Sequence, residues 1–119
     1  MKALFAALTL LVALSGPVRA ETTIVFATDA TWPPMEMVND QKQVVGYSIE
    51  YMTAAGKEAG FTPVFKNTAW DGIFAGLSAN KYDAIVSSVS ITEERKKAMD
   101  FSEPYYTVRQ ALIVPKTST

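Results

Sequence analysis

Along the chain, short runs of apolar residues alternate with longer stretches in which apolar residues recur at helical spacing. Residues 23–28 (TIVFAT) are β-branched and apolar, which is typical of a buried strand. Residues 35–45 follow as a predicted hairpin. Apolar side chains then recur at spacings of three and four over residues 47–59, which predicts an amphipathic helix. Gly60 is placed to end this helix, and residues 61–65 predict a second strand.

The same alternation continues toward the carboxyl end of the chain. We predict a helix over residues 70–79, a strand over 83–86, a short charged helix over 92–99 and a last strand over 108–114. Strands that alternate with helices are typical of a parallel sheet. The predicted fold class is therefore α/β, with a mostly parallel sheet and helices on both faces.

The first twenty residues have the features of a signal peptide. Lys2 precedes an apolar run over residues 3–14, and small residues end at a predicted cleavage site after Ala20. The run is too short for a membrane span, which needs about 20 residues. No cysteine follows the run, so we expect a periplasmic, soluble protein without a lipid anchor, folded from residues 21–119.

Composition narrows the functional classes. The chain of 119 residues is 49% hydrophobic, carries a net charge of −1 and contains neither cysteine nor histidine. The charge balance argues against binding of nucleic acid through phosphates. Without thiolate or imidazole, zinc and iron sites of the usual kind and Ser-His-Asp catalysis are excluded. We expect a domain with no cofactor and no enzymatic activity.

Ligands of an open parallel sheet bind at the carboxyl ends of its strands, where two predicted loops lie. In the first loop, Asp29 could face a cationic group and Trp32 could stack on a ligand. The alternatives are an aspartate that caps a turn and a tryptophan of the core. Trp70 is equally compatible with the core and with the wall of a cleft.

The second loop combines hydroxyls with a cation. Ser87, Ser88 and Ser90 precede a predicted helix whose first turn carries Arg95. A helix N-terminus and a guanidinium both favour an anion, and arginine suits a carboxylate. Ser88 and Ser90 could accept from an ammonium group or donate to the anion. The alternative is a capped surface helix, and Ser90 and Glu93 have the spacing of a capping box.

Several segments together resemble a known family. ATDATWPPME, GYSIE, WDGI, KYDAIVSSVSITEERKKAMDFSEPYY and QALIVPK are similar, in this order, to the first lobe of periplasmic polar amino-acid-binding proteins. These are the family 3 solute-binding subunits of ABC importers. The resemblance covers about residues 23–116. It implies the two-lobed type II, or Venus-flytrap, fold, and we expect the second lobe and the return strand to be absent from this chain.

The resemblance also implies roles for residues of the second loop. Arg95 matches the arginine that clamps the α-carboxylate of the ligand. Ser88 and Ser90 match positions that receive the α-ammonium group, and Ser87 matches a position that contacts only some ligands.

Three further residues match positions that bind the ligand side chain. Trp32 matches an aromatic residue that covers it, and Trp70 matches an aromatic residue on the opposite wall. Asp29 matches an acidic residue near the distal end of basic or amide side chains. Seven candidate ligand-binding residues result: Asp29, Trp32, Trp70, Ser87, Ser88, Ser90 and Arg95.

The leading prediction is a periplasmic ABC-importer component that binds a polar L-amino acid, with a basic or amide side chain favoured. Its expected partners are the amino acid and a membrane permease, and the full-length protein is expected to be monomeric. One alternative is the ligand-sensing domain of a receptor or of a cell-wall lytic enzyme. Another is an enzyme of the cyclohexadienyl dehydratase type, which uses the same fold.

Overall fold

A computed structural model describes residues 22–117 of the chain. The chain divides into two compact units, the first ending at Ser88 and the second beginning at Val89. The predicted signal peptide lies outside the described residues. Within those residues, every helix is too short or too polar to cross a membrane.

The first unit contains a three-stranded parallel sheet. Its central strand is β1 (Thr22–Thr28), flanked by β5 (Phe61–Asn67) on one side and β6 (Ala84–Ile85) on the other. Phe26 of β1 lies opposite Phe65 of β5. The apolar, β-branched run of β1 thus occupies the middle of the sheet, where both of its edges are paired.

One face of this sheet is covered by helix α1 (Tyr47–Ala59). Phe26 presents its ring there, with centroids 6.2 Å from Phe61 and 6.0 Å from Phe65. The helix approaches β5 so closely at Gly56 that an added Cβ would lie 2.8 Å from the carbonyl oxygen of Phe61. Glycine at this position therefore allows the close contact between helix and strand.

The opposite face carries helix α2 (Ile73–Ser78) and the main apolar cluster. Ala27, which follows Phe26 and so points the other way, packs with Ile73 and Tyr82. The buried hydroxyl of Tyr82 donates a hydrogen bond to the carbonyl oxygen of Ile73. Helices thus cover both faces of the sheet, and the predicted α/β class is confirmed.

Helix boundaries show where local sequence was sufficient. Helix α1 has the predicted bounds and ends at Gly60, whose φ of 78° is left-handed and whose N–H donates to Gly56 O. Helix α2 is shorter than predicted, because it begins after Gly72 rather than at Trp70. Gly72 has a φ of 91°, outside the helical region.

A small antiparallel sheet joins β1 to α1. It consists of β2 (Thr31–Trp32), β3 (Glu36–Val38) and β4 (Val44–Val45), in that order. The turn between β3 and β4 is closed by reciprocal bonds between Asn39 and Gln43. The predicted hairpin is confirmed, whereas β2 lies in a segment predicted as loop.

The second unit contains one short helix, α3 (Glu93–Lys96), among the residues described there. Its N-cap is Thr92, whose hydroxyl accepts from the N–H of Arg95 at 3.2 Å. The helix was expected to begin at a serine or threonine cap; the threonine is confirmed, and the capping-box spacing of Ser90 is wrong. A cap must directly precede the first helical residue to reach the amides of the first turn, and Ser90 lies too far upstream.

The predicted strand over residues 108–114 is also wrong. No strand is present over these described residues, and the side chains of Leu112 and Ile113 are 90% and 93% exposed. An apolar, β-branched run favours a strand only where a neighbouring strand pairs with its N–H and C=O groups. This segment has the composition of a strand without that pairing.

Candidate ligand-binding site

Asp29 lies directly after β1 and is buried, with 8% of its surface exposed. Its Oδ1 accepts from the hydroxyl of Thr31 at 2.8 Å, and its Oδ2 accepts from the N–H of Trp70 at 2.9 Å. Its own N–H donates to Ser87 Oγ at 2.8 Å. One aspartate therefore connects three loop segments at the carboxyl end of the sheet.

Ser87 and Trp70 complete what we call the strand-end cluster, formed by Asp29, Trp70 and Ser87. Ser87 is buried. Trp70 is half-buried and packs edge-to-face on Phe74, with ring centroids 5.2 Å apart. It also lies against the apolar cluster of the core. Trp70 thus contacts the core and the Asp29 carboxylate holds the loop, and the ligand-binding roles of both residues stay predictions.

Trp32 is 60% exposed on β2. The alternative that it belongs to the core is therefore wrong. A tryptophan with this exposure presents an aromatic face that a ligand can cover. The stacking role suggested by the family resemblance stays a prediction.

Ser88 is bound by an acidic residue that the sequence analysis did not select. Its hydroxyl donates to Glu36 Oε1 at 2.8 Å and to Oε2 at 3.0 Å. Glu36 lies on β3 and is 0% exposed. No local signal indicates this burial, because a glutamate in a predicted hairpin is expected to face solvent.

The second unit carries the remaining two candidates in the arginine loop, which we define as residues 89–99. Arg95 Nη1 donates to the carbonyl oxygen of Ser90 at 3.0 Å. The backbone N–H of Arg95 is bound by the cap residue Thr92. The guanidinium is therefore held beside the serine that precedes the helix.

Five candidates lie in the first unit, of which Asp29, Trp70 and Ser87 are joined by hydrogen bonds, and two lie in the second. The first unit supplies acidic groups, hydroxyls and an exposed aromatic ring at the carboxyl ends of β1 and β6. The second supplies a guanidinium at the start of α3. Charged groups and hydroxyls that follow the strands of an α/β sheet are typical of a class of protein that binds small molecules at strand ends.

Comparison with known proteins identifies the family of the chain. Residues 24–119 match the family model of bacterial extracellular solute-binding proteins, family 3. The chain belongs to this family. The resemblance based on short motifs is thus confirmed over nearly the whole of the predicted mature region.

The relatives are named for amino acids. The chain is 37% identical over 90 residues to a probable histidine-binding protein of Neisseria gonorrhoeae. The match covers 76% of this chain and 34% of the relative. The chain therefore spans about a third of the length of that curated relative. Its similarity is limited to one part of the longer protein.

Solved structures show the same partial coverage. An ancestral arginine-binding protein bound to glutamine matches with a TM-score of 0.69 and 36% identity, over 74% of this chain and 39% of that chain. A mutant of the arginine-bound form of domain 1 from TmArgBP matches with a TM-score of 0.67 and 32% identity, over 71% and 65%. The fold of the chain is thus that of a lobe of amino-acid-binding proteins.

Proposed function

We propose that this chain is the amino-acid-binding part of a periplasmic ABC-importer component, with a basic or amide L-amino acid as its ligand. The observation that carries the proposal is Arg95, whose guanidinium is bonded to Ser90 O beside a serine-rich turn. A guanidinium binds a carboxylate through two parallel hydrogen bonds. Every L-amino acid carries such a carboxylate.

The preference for a basic or amide side chain rests on Trp32 and Asp29. The exposed ring of Trp32 can cover an aliphatic stem or attract a cation through its face. The Asp29 carboxylate accepts two hydrogen bonds within the fold, but a carboxylate has about four acceptor positions. It therefore keeps capacity for a ligand N–H. The names of the histidine- and arginine-binding relatives support this preference.

The proposal assigns the chain to the first lobe of a two-lobed protein. A lobe that supplies part of the ligand contacts binds more weakly than two lobes that enclose the ligand. We expect weak binding by the 119-residue chain alone, and micromolar or tighter affinity would contradict this. The arginine-bound form of a relative's domain 1 supports testing the chain by itself.

The proposal also includes the location and partners of the protein. We expect cleavage after Ala20, export to the periplasm and delivery of the amino acid to a membrane permease, by a monomer without enzymatic activity. The intact mass of the protein isolated from the periplasm tests the lobe assignment. A mass about twice that of residues 21–119 supports two lobes, whereas the mass of residues 21–119 contradicts them.

The experiment that tests the function is a titration of the complete gene product with L-arginine, L-histidine, L-glutamine and L-glutamate, followed by calorimetry. We expect arginine, histidine or glutamine to bind more tightly than glutamate. A preference for glutamate would contradict the role of Asp29. Chemical conversion of a cyclohexadienyl substrate would instead favour the enzymatic alternative.

Arg95→Ala tests the carboxylate clamp. It removes a charge-assisted pair, and we expect affinity to fall by about 2–4 kcal/mol while the fold is kept. Arg109→Ala is the matched control, because Arg109 is an exposed arginine of the same unit outside the arginine loop. Equal affinity of the Arg95 and Arg109 variants would show that the clamp is wrongly assigned.

A further inference from the structure

The buried carboxylate of Glu36 is not among the groups that the proposed function assigns to the ligand. It is 0% exposed on β3 and accepts the hydroxyl of Ser88, a residue 52 positions away in sequence. A buried carboxylate is costly unless polar groups compensate for its lost hydration. The contact with Ser88 supplies such a group, at distances of 2.8 and 3.0 Å to the two oxygens.

The direction of this hydrogen bond determines what Ser88 can still do. The hydroxyl of Ser88 is the donor in this contact, and the carboxylate oxygens of Glu36 accept. A serine hydroxyl has one hydrogen and two acceptor positions. Because its hydrogen is used by Glu36, Ser88 Oγ can interact with a ligand only as an acceptor. Of the two uses left open by the sequence, donation to an anion is excluded and acceptance from an ammonium group remains.

The backbone conformation of Ser88 also supports a role in ligand binding. Its φ is +48°, a left-handed conformation that residues other than glycine adopt infrequently. Such conformations are kept where the surroundings hold them, and they concentrate at binding sites. The bond to Glu36, on β3, holds the Ser88 side chain.

We propose that Glu36 is a positioning residue that orients the Ser88 hydroxyl as an acceptor for the α-ammonium group of the ligand. This inference rests on the proposed amino-acid-binding function. A hydroxyl that donates to a carboxyl group is polarised by that bond, which strengthens its acceptor character toward a cation. Glu36 itself is enclosed and acts through Ser88.

The test compares two ligands that differ only in the α-amino group. L-arginine and its des-amino analogue, 5-guanidinopentanoate, are titrated into the complete gene product and its variants. In Glu36→Gln we expect affinity for L-arginine to fall by about tenfold, because an amide binds the Ser88 hydroxyl through one oxygen instead of two. Affinity for the analogue should not change. Glu58→Gln, at an exposed glutamate of α1, is the matched control for both ligands.

Ser88→Ala removes the hydroxyl from an exposed residue, so it tests the same route should Glu36→Gln fail to fold. It should lower affinity for L-arginine and leave the analogue unaffected. In the double variant, Glu36→Gln should add nothing to the effect of Ser88→Ala, since both act on one contact.

The outcomes separate the inference from the function on which it rests. Equal loss of both ligands in the two variants would mean that the contact only supports the fold, and it would overturn the inference alone. If the ratio of the affinities for L-arginine and the analogue is the same in the variants as in the unmodified protein, the inference is also overturned. If the unmodified protein binds none of L-arginine, L-histidine and L-glutamine, the proposed function fails, and the inference fails with it.

Discussion

The strand-end cluster and the arginine loop are held by different kinds of contact. In the cluster, the bond from Asp29 to Ser87 joins residues 58 positions apart, and the bond to Trp70 spans 41 positions. In the arginine loop, the N–H of Arg95 donates to Thr92, 3 positions away, and its guanidinium donates to Ser90 O, 5 positions away. The cluster therefore depends on the assembled sheet, whereas these contacts of the arginine loop join near neighbours in sequence.

The strand-end cluster and the arginine loop also differ in burial. Asp29 and Ser87 are enclosed, while the residues of the arginine loop are exposed or half-buried. Unpaired groups cost most when water cannot reach them. Substitutions in the cluster should therefore lower global stability, and substitutions in the loop should act locally. Two variants test this difference, and a third, at Thr28 next to Asp29 in the chain, tests the cost of an unpaired buried group.

Asp29→Ala should have the largest effect on stability. It leaves the N–H of Trp70 and the hydroxyl of Thr31 without their acceptor. We expect the free energy of unfolding to fall by about 2–3 kcal/mol, measured by urea denaturation. Asp71→Ala is the control, because Asp71 is an exposed aspartate next to Trp70. Equal stability of the two variants would show that the cluster does not connect its segments.

Thr28→Val should have the opposite sign. The hydroxyl of Thr28 is fully buried at the end of β1, and it has no hydrogen-bond partner among the described residues. Valine has a similar shape without the hydroxyl, so the cost of burying an unpaired group disappears. We expect stabilisation of about 1 kcal/mol, seen as a higher thermal midpoint. A lower midpoint would mean that a bound water pairs with the hydroxyl.

Thr92→Ala should have the smallest and most local effect. It removes the cap of α3, a contact worth about 1 kcal/mol to the helix. Amide hydrogen exchange should become faster in residues 93–96 and stay the same in β1. Thr107→Ala, at an exposed threonine of the same unit, is the control. Faster exchange throughout β1 would contradict the view that the loop is organised locally.

Sequence patterns were sufficient where a structure depends on near neighbours. The spacing of apolar residues predicted β1, α1 and the hairpin, because each pattern is repeated within a few residues. Sequence patterns were insufficient where the structure of a segment depends on contacts with residues far away in the sequence. Residues 108–114 have the composition of a strand and form none, and Trp70 lies before the helix that it was expected to begin.

The sequence by itself determined the α/β class, the family and the two loops that carry the candidate residues, since these follow from local periodicity and from contiguous motifs. Only the tertiary structure decided how the polar groups are used. Glu36 is buried and Ser88 is its donor because the fold brings together two segments 52 positions apart. The enclosure of Asp29 follows in the same way, from Ser87 and Trp70 far along the chain. Hydrogen-bond direction and burial are properties of the assembled sheet, and no local pattern encodes them.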